Sequence, residues 1–190
     1  KRDPAGRAIV FYGKEISWRD LDASVDRIAA YLQHDCGIER GDRVILFSQN
    51  CPQFVIAYYA ILRAGAVVVP VNPMNRRGEV AHYISETQAK AAFCGQELID
   101  EILPAVGQSS LRSIISMVYA DFVLAHFGEV LPPSLTVARM SFDHPAVVDW
   151  QDASATTQAP EPIPFTSDEI AVLPFTSGST GLPKGCVHTH

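Results

Sequence analysis

Near the end of the chain, the run Leu173-Pro174-Phe175-Thr176-Ser177-Gly178-Ser179-Thr180-Gly181-Leu182-Pro183-Lys184-Gly185 gathers hydroxyls, glycines and one lysine. Thr176, Ser177, Ser179 and Thr180 offer hydroxyl donors, and successive N–H groups of such a loop can form a concavity that holds an anion. Glycines carry no Cβ to keep the backbone away from a charged oxygen. Lys184 adds a cation on a long, mobile stem. Together these groups suit a polyphosphate that must be held and then released. A flexible linker and a hairpin tip are the bland readings of the same Ser/Thr/Gly spacing. The Walker phosphate loop is excluded, because it needs glycine directly before the lysine, where this chain has Pro183 with no N–H to offer.

The elements that must position this stretch can be read from the rest of the chain. An apolar run over residues 170–175 predicts a buried strand that delivers the chain to the polar loop. Residues 8–12 and 15–18 read as a strand and its return around Gly13-Lys14. Trp18, Leu21, Val25, Ile28, Ala29 and Leu32 then recur at three- and four-residue steps, one face of a helix with Ser17 as N-cap and Gly37 beyond its end. Residues 43–48 suit a fully buried strand, 54–63 continue a helix from Pro52 to its stop at Gly65, and 66–70 form the next buried strand. The alternation goes on as helix 78–87 with Val80, Tyr83 and Ile84 inward, strand 89–94, helix 97–106 and strand 112–117. Such alternation predicts an α/β fold, a mainly parallel sheet flanked by helices. Residues 118–127 are compatible with a helix. Residues 131–164, poor in periodicity and rich in Pro, Ala, Ser and Thr, read as a surface loop or a linker, with Trp150 packed against something.

Size and composition narrow the function classes. The 190 residues can bury a sizeable core, and 47% apolar with 19% charged residues describes an ordinary globular protein. A net charge of −6 without a basic cluster argues against nucleic acid as a partner. No apolar run reaches the roughly 20 residues of a transmembrane segment. The start, Lys1-Arg2-Asp3-Pro4, does not read as a signal peptide and lacks an initiator methionine, which suggests that the sequence begins inside a longer product. Cys36, Cys51, Cys94 and Cys186 lie far apart and read as reduced thiols of a cytoplasmic protein.

The run Thr176-Ser177-Gly178-Ser179-Thr180-Gly181-Leu182-Pro183-Lys184-Gly185, followed by Thr189-His190, resembles the signature loop of the adenylate-forming (AMP-binding) superfamily. That superfamily holds acyl-CoA synthetases, luciferases and the adenylation domains of peptide synthetases. Segments 15–21, 41–44, 50–54, 64–73 and 79–92 resemble recurrent family segments in family order, so the likeness covers nearly the whole chain. Asn72-Pro73-Met74, Arg77-Gly78-Glu79-Val80 and Val148-Asp149-Trp150 are most similar to the long-chain fatty-acid-CoA ligase branch.

The resemblance implies that residues 1–190 are an amino-terminal fragment of the large adenylate-forming domain, with the signature phosphate loop at 174–185. It implies an acid-thiol ligase of fatty-acid and lipid metabolism that uses ATP, Mg2+ and coenzyme A to activate a carboxylic acid as acyl-adenylate. Thr176, Ser177, Gly178, Ser179, Thr180, Gly181 and Lys184 would hold the nucleotide's β- and γ-phosphates. No catalytic residue is assignable, since the family's adenine pocket, magnesium-binding acid and catalytic lysine would lie downstream of His190; Asp168 and Glu169 read instead as a solvated turn. The resemblance therefore implies a fragment that is inactive alone. A superfamily member with a non-CoA acceptor and a non-catalytic phosphate-binding module are the alternatives. A separate possibility concerns residues 185–190: as one strand they would alternate Cys186, His188 and His190 onto one face, a zinc or copper donor set. The family usually has an aliphatic residue at the Cys186 position, which favours coincidence, and no metal site is expected.

Overall fold

The computed structural model describes residues 3–128, 130–176 and 183–190. A hairpin of β1 (Arg7–Phe11) and β2 (Lys14–Ser17) leads into α1 (Trp18–His34). Ser17 caps the helix, its Oγ accepting the Asp20 N–H at 3.1 Å, and the spacing of Leu21, Val25, Ile28, Ala29 and Leu32 gives the helix one continuous buried face. β3 (Arg43–Phe47) follows, then α2 (Pro52–Arg63), with Pro52 in the first turn where its missing N–H costs nothing. Gly65 leaves α2 at φ +77°, and a Cβ there would lie 2.6 Å from Ile163, so both backbone sign and space demand glycine. β4 (Val67–Val71), α3 (Arg77–Thr87) and β5 (Ala91–Gly95) complete two parallel crossovers.

The expected helix at 97–106 is instead a short α4 (Ile99–Ile102) between two 3₁₀ turns, Gln96–Leu98 and Leu103–Ala105. Pro104 is the reason, because it removes the N–H that would carry the α-helical ladder onward. β6 (Ser113–Met117) follows. The helix considered for 118–127 is a single 3₁₀ turn, Tyr119–Phe122. There the Tyr119 side chain turns inward, and the Leu124 N–H donates to the Tyr12 carbonyl at 3.2 Å rather than to a helical partner.

Residues 131–164, expected as a loop or linker, contain β7 (Val147–Asp149) and α5 (Trp150–Ser154). β7 pairs in parallel with β6, and Asp149 caps α5 by accepting the Gln151 N–H at 2.8 Å. Trp150 is 4% exposed and meets Phe93 edge-on at 5.9 Å. A three-residue strand leaves no periodicity to read, which is why sequence pattern missed it. The stretch is thus bound into the sheet.

β8 (Ile170–Val172) joins β4 in parallel, but the apolar run does not continue as one strand to Phe175. The Leu173 N–H still donates to the Val68 carbonyl at 2.8 Å; Pro174 then has none to give, and the chain leaves the sheet. β9 (Phe175–Thr176) and β10 (Lys184–Gly185) form a separate antiparallel ribbon, and β11 (His188–Thr189) returns antiparallel to β8. The main sheet has the order β11-β8-β4-β3-β5-β6-β7, parallel apart from β11. Alternate strand residues feed two cores. Val44, Leu46, Val68, Phe93 and Ile115 pack with α1, α2 and α5; Ile45, Phe47, Val69, Ala92 and Ile114 pack with α3 and α4.

Because Trp150 anchors the returning stretch to the first core, Trp150→Ala in the full-length protein is expected to destabilise by about 3–5 kcal/mol, the usual cost of truncating a buried large aromatic. Denaturant unfolding followed by far-ultraviolet circular dichroism checks this. An unchanged midpoint would mean that residues 131–164 behave as a detached linker.

Candidate functional site

In an open parallel sheet the ordinary ligand crevice lies where neighbouring strands send their connections to opposite faces. Here that place is between β3, which continues to α2 on one face, and β5, which continues to α4 on the other. The chain fills it with its own side chain. Tyr119 donates its phenol to Glu97 Oε1 at 2.7 Å and accepts the Gln49 N–H at 3.0 Å. A Cβ on Gly95 would meet the phenol oxygen at 2.1 Å, so this strand end is glycine to admit the ring. Burial pushes the Tyr119 phenol well above its ordinary range, and it remains a protonated donor. The remaining crevice is about 160 Å³.

The polar loop instead projects from the other half of the sheet. Thr176 and Lys184 face each other across the ribbon, as do Phe175 and Gly185, and the Cys186 N–H closes the ladder on the Pro174 carbonyl at 2.8 Å. Ser177, Gly178, Ser179, Thr180 and Gly181 lie outside the described residues; the two ends of their loop, Thr176 and Lys184, are brought together and exposed. Lys184 opens onto a cleft of about 530 Å³ lined also by Arg43, His82, Glu86 and Phe175. Arg43 is committed to structure, donating to the Thr87 and Gly41 carbonyls. Among the described residues no carboxylate pairs with Lys184.

Below the ribbon, the Phe175 ring stacks on Tyr83 of α3 with centroids 4.4 Å apart and 29° between planes. Tyr83 was legible as an inward residue of a helix and Phe175 as the end of a strand; their meeting was not, since nothing in the sequence links residues so far apart.

The trio Cys186, His188 and His190 does not converge. Residues 185–190 are not one strand, because β10 and β11 belong to different sheets. The Cys186 thiol lies 3.6 Å from Thr176 Oγ1, while His190 stacks on Phe165 at 4.2 Å. Among the described residues no group of three His, Cys, Asp or Glu side chains is placed to hold a metal ion. The other cysteines are free thiols too; burial pushes Cys36 up to about 11 and Cys51 up to about 12, which leaves them poor nucleophiles.

Glu169 works as a structural anion at the entrance to β8. It accepts from Arg40 Nε at 2.9 Å and from Arg40 Nη2, and its Oε1 also accepts the Thr166 N–H at 2.8 Å. The Arg40 hydrogen bonds, followed by that of the Thr166 backbone, bring its carboxyl down from 4.5 to about 2.

The chain belongs to the AMP-binding enzyme family, whose pattern matches residues 1–190. It is 30% identical over 198 aligned residues to a long-chain-fatty-acid–CoA ligase of Bacillus subtilis, an alignment that takes in 100% of this chain and 34% of that protein. The chain thus spans about a third of the length of the curated relatives it matches. Among solved structures it resembles ATP-bound MatB from Rhodopseudomonas palustris, with TM-score 0.75 and 25% identity over 99% of this chain and 32% of that one. The fold is shared as well with the anthranilate CoA ligase AuaEII in complex with anthranoyl-AMP, at TM-score 0.75 and 18% identity over 98% of this chain and 31% of that one.

A group whose folded-state pKa is depressed stabilises above its ordinary value and loses that contribution as pH falls through the folded value. Wild type should therefore exceed Glu169→Gln in stability above about 4.5, with the gap closing as pH falls towards about 2. Unfolding midpoints of both proteins across that window check the sign. The gap should also shrink in high salt, since the pair is exposed.

Proposed function

We propose that this chain is the amino-terminal part of an ATP-dependent acyl-CoA ligase that activates a carboxylic acid, a fatty acid in our reading, as its acyl-adenylate. The observation that carries the proposal is the β9–β10 ribbon. It brings Thr176 and Lys184 opposite one another at the two ends of a hydroxyl- and glycine-rich loop, in a chain that matches the family from end to end. Thr176, Ser177, Gly178, Ser179, Thr180, Gly181 and Lys184 are the proposed polyphosphate contacts. The fatty-acid reading is supported by the name of the Bacillus subtilis relative and by the segments at 72–80 and 148–150.

In the proposed reaction a carboxylate oxygen attacks the α-phosphorus of ATP, the bond to the β-phosphate oxygen breaks, and pyrophosphate departs with the negative charge. The hydroxyls and Lys184 steady that developing charge, as preorganised donors do in phosphoryl chemistry. The coenzyme A thiolate then attacks the acyl carbon and AMP leaves. Mg2+ would offset phosphate charge when bound; the described residues offer it no acidic cluster, and no step here runs through it. Groups for the adenine, the metal and the acid would come from sequence beyond His190, so residues 1–190 alone are proposed not to turn over. The place of action in this reading is the cytoplasm, in fatty-acid metabolism; no helix among the described residues is long and apolar enough to cross a membrane.

In the full-length ligase, Lys184→Ala is expected to slow exchange of labelled pyrophosphate into ATP with the fold intact. Losing one charge-assisted contact costs about 1.5–3 kcal/mol, which corresponds to roughly a ten- to hundredfold loss in rate. Thr180→Ala should act in the same direction but less strongly, since a neutral hydroxyl contributes less than a charge. Thiol transfer from a preformed acyl-adenylate should be spared, because pyrophosphate has already left. Slowed thiol transfer with spared adenylation would overturn the phosphate role. Replacing coenzyme A by a carrier-bound thiol in the second step tests the acceptor. Robust exchange by residues 1–190 alone would refute the proposed inactivity.

A further inference from the structure

We infer that Tyr83 and Phe175 are positioning residues for the phosphate ladder, acting as a clamp that fixes where Thr176 and Lys184 stand relative to the sheet; the inference rests on the phosphate-holding reading above. It starts from a weakness in the backbone. The main sheet's last strand bond before the loop is the Leu173 N–H on the Val68 carbonyl, and Pro174 gives the chain no further donor there. Beyond it, β9 and β10 are two residues each and pair only with each other. An isolated two-stranded ribbon is marginal in water, so hydrogen bonding alone does not hold this one in a set direction. Side-chain packing must supply the orientation.

Phe175, with Leu173 before it, supplies packing against the second core. Phe175 stacks on Tyr83, 4.4 Å between centroids, and meets His82 at 6.4 Å with 71° between the ring planes. On the ribbon, its cross-strand partner is Gly185, where a Cβ would sit 3.5 Å from the ring, an ordinary van der Waals contact. The ring therefore lies on the helix at Tyr83 and beside Gly185 of the ribbon's return strand, where an added Cβ would just reach it. Tyr83 is itself a fixed platform. It is 5% exposed on α3 between Val80 and Ile84, both fully buried, and its phenol accepts from Asn75 at a long 3.4 Å. The helix is tied at its start by the Arg76 N–H on Glu79 at 2.9 Å and by the Arg77 N–H on Glu101 at 2.8 Å. Thr176 and Lys184 are the neighbours of Phe175 and Gly185 in the ladder, so a shift of the backbone at Phe175 carries both with it. A displacement near 1 Å is enough to cost on the order of a hundredfold when reacting groups must be aligned.

The ring and not the phenol does this work, which separates the clamp from a hydrogen-bonding role. The test uses the full-length ligase and reads its two half-reactions separately. Tyr83→Phe keeps the stack and should leave pyrophosphate exchange within about twofold of wild type, while Tyr83→Leu should lower it on the order of tenfold. The loss should fall on adenylation, while thiol transfer from preformed acyl-adenylate stays at the wild-type rate; a general loss of fold would lower both. Should Tyr83→Leu fail to fold, Phe175→Leu, at a half-buried site outside the main sheet, decides the matter by the same two measurements. Wild-type exchange in the leucine variant, or an equal fall in both half-reactions, overturns the clamp. Lys184→Ala run alongside tells the two readings apart. If it slows exchange while the leucine variant does not, only the clamp is lost; if it leaves exchange untouched, the phosphate reading falls and the clamp with it.

Discussion

Four consecutive side chains of β3, Val44 to Phe47, have no face to offer water, and the architecture follows from covering them. They alternate between two cores, and all are fully buried. Each contributes about 1.5–3 kcal/mol by leaving water, but only if both faces of the strand are roofed. One crossover cannot do that. The chain must place α1 and α2 on one side and α3 and α4 on the other, which sends β4 and β5 to opposite flanks of β3. The same constraint creates a switch point between β3 and β5, and Tyr119 with Glu97 and the Gln49 N–H occupies it. With its ordinary crevice used for structure, this half of the sheet has become a platform.

The candidate chemistry sits where the constraint relaxes. At Pro174 the sheet loses a donor, and the chain is released into a ribbon that owes the main sheet little hydrogen bonding. Before that point, Arg40 and Glu169 tie the loop ahead of β3 to the entrance of β8. After it, β11 returns to pair with β8. The loop is thus bracketed on both sides by elements fixed to the sheet, while its two described ends, Thr176 and Lys184, face solvent. Rigid flanks with solvated ends are the arrangement expected of a segment that must bind and let go.

Much of this was legible in the sequence, and what escaped has physical causes. The runs 43–48 and 66–70 announced buried parallel strands because both faces are apolar, and Ser17, Pro52 and Gly65 marked helix ends through their capping chemistry. Pro104 also stood in plain view, yet the strand–helix alternation argued for a helix over 97–106 that is longer than a proline permits. β7 was hidden because three residues carry no period, and its stability comes from β6 and from Trp150, partners distant in sequence. The motif 174–185 could be recognised from residue types and order alone. The stack of Phe175 on Tyr83 could not, since a contact across 92 residues is a property of the folded topology.

Exposure of Thr176 and Lys184 has its own consequence for how such a ladder can act. Two unit charges 4 Å apart in bulk water attract by only about 1 kcal/mol, against about 4 kcal/mol where the effective dielectric constant is near 20. In the phosphate-holding reading the ladder supplies direction but little binding strength while water surrounds it. Strength must come from excluding that water over the loop. Geometry held by the Phe175 stack and strength gained by losing water are then separate variables.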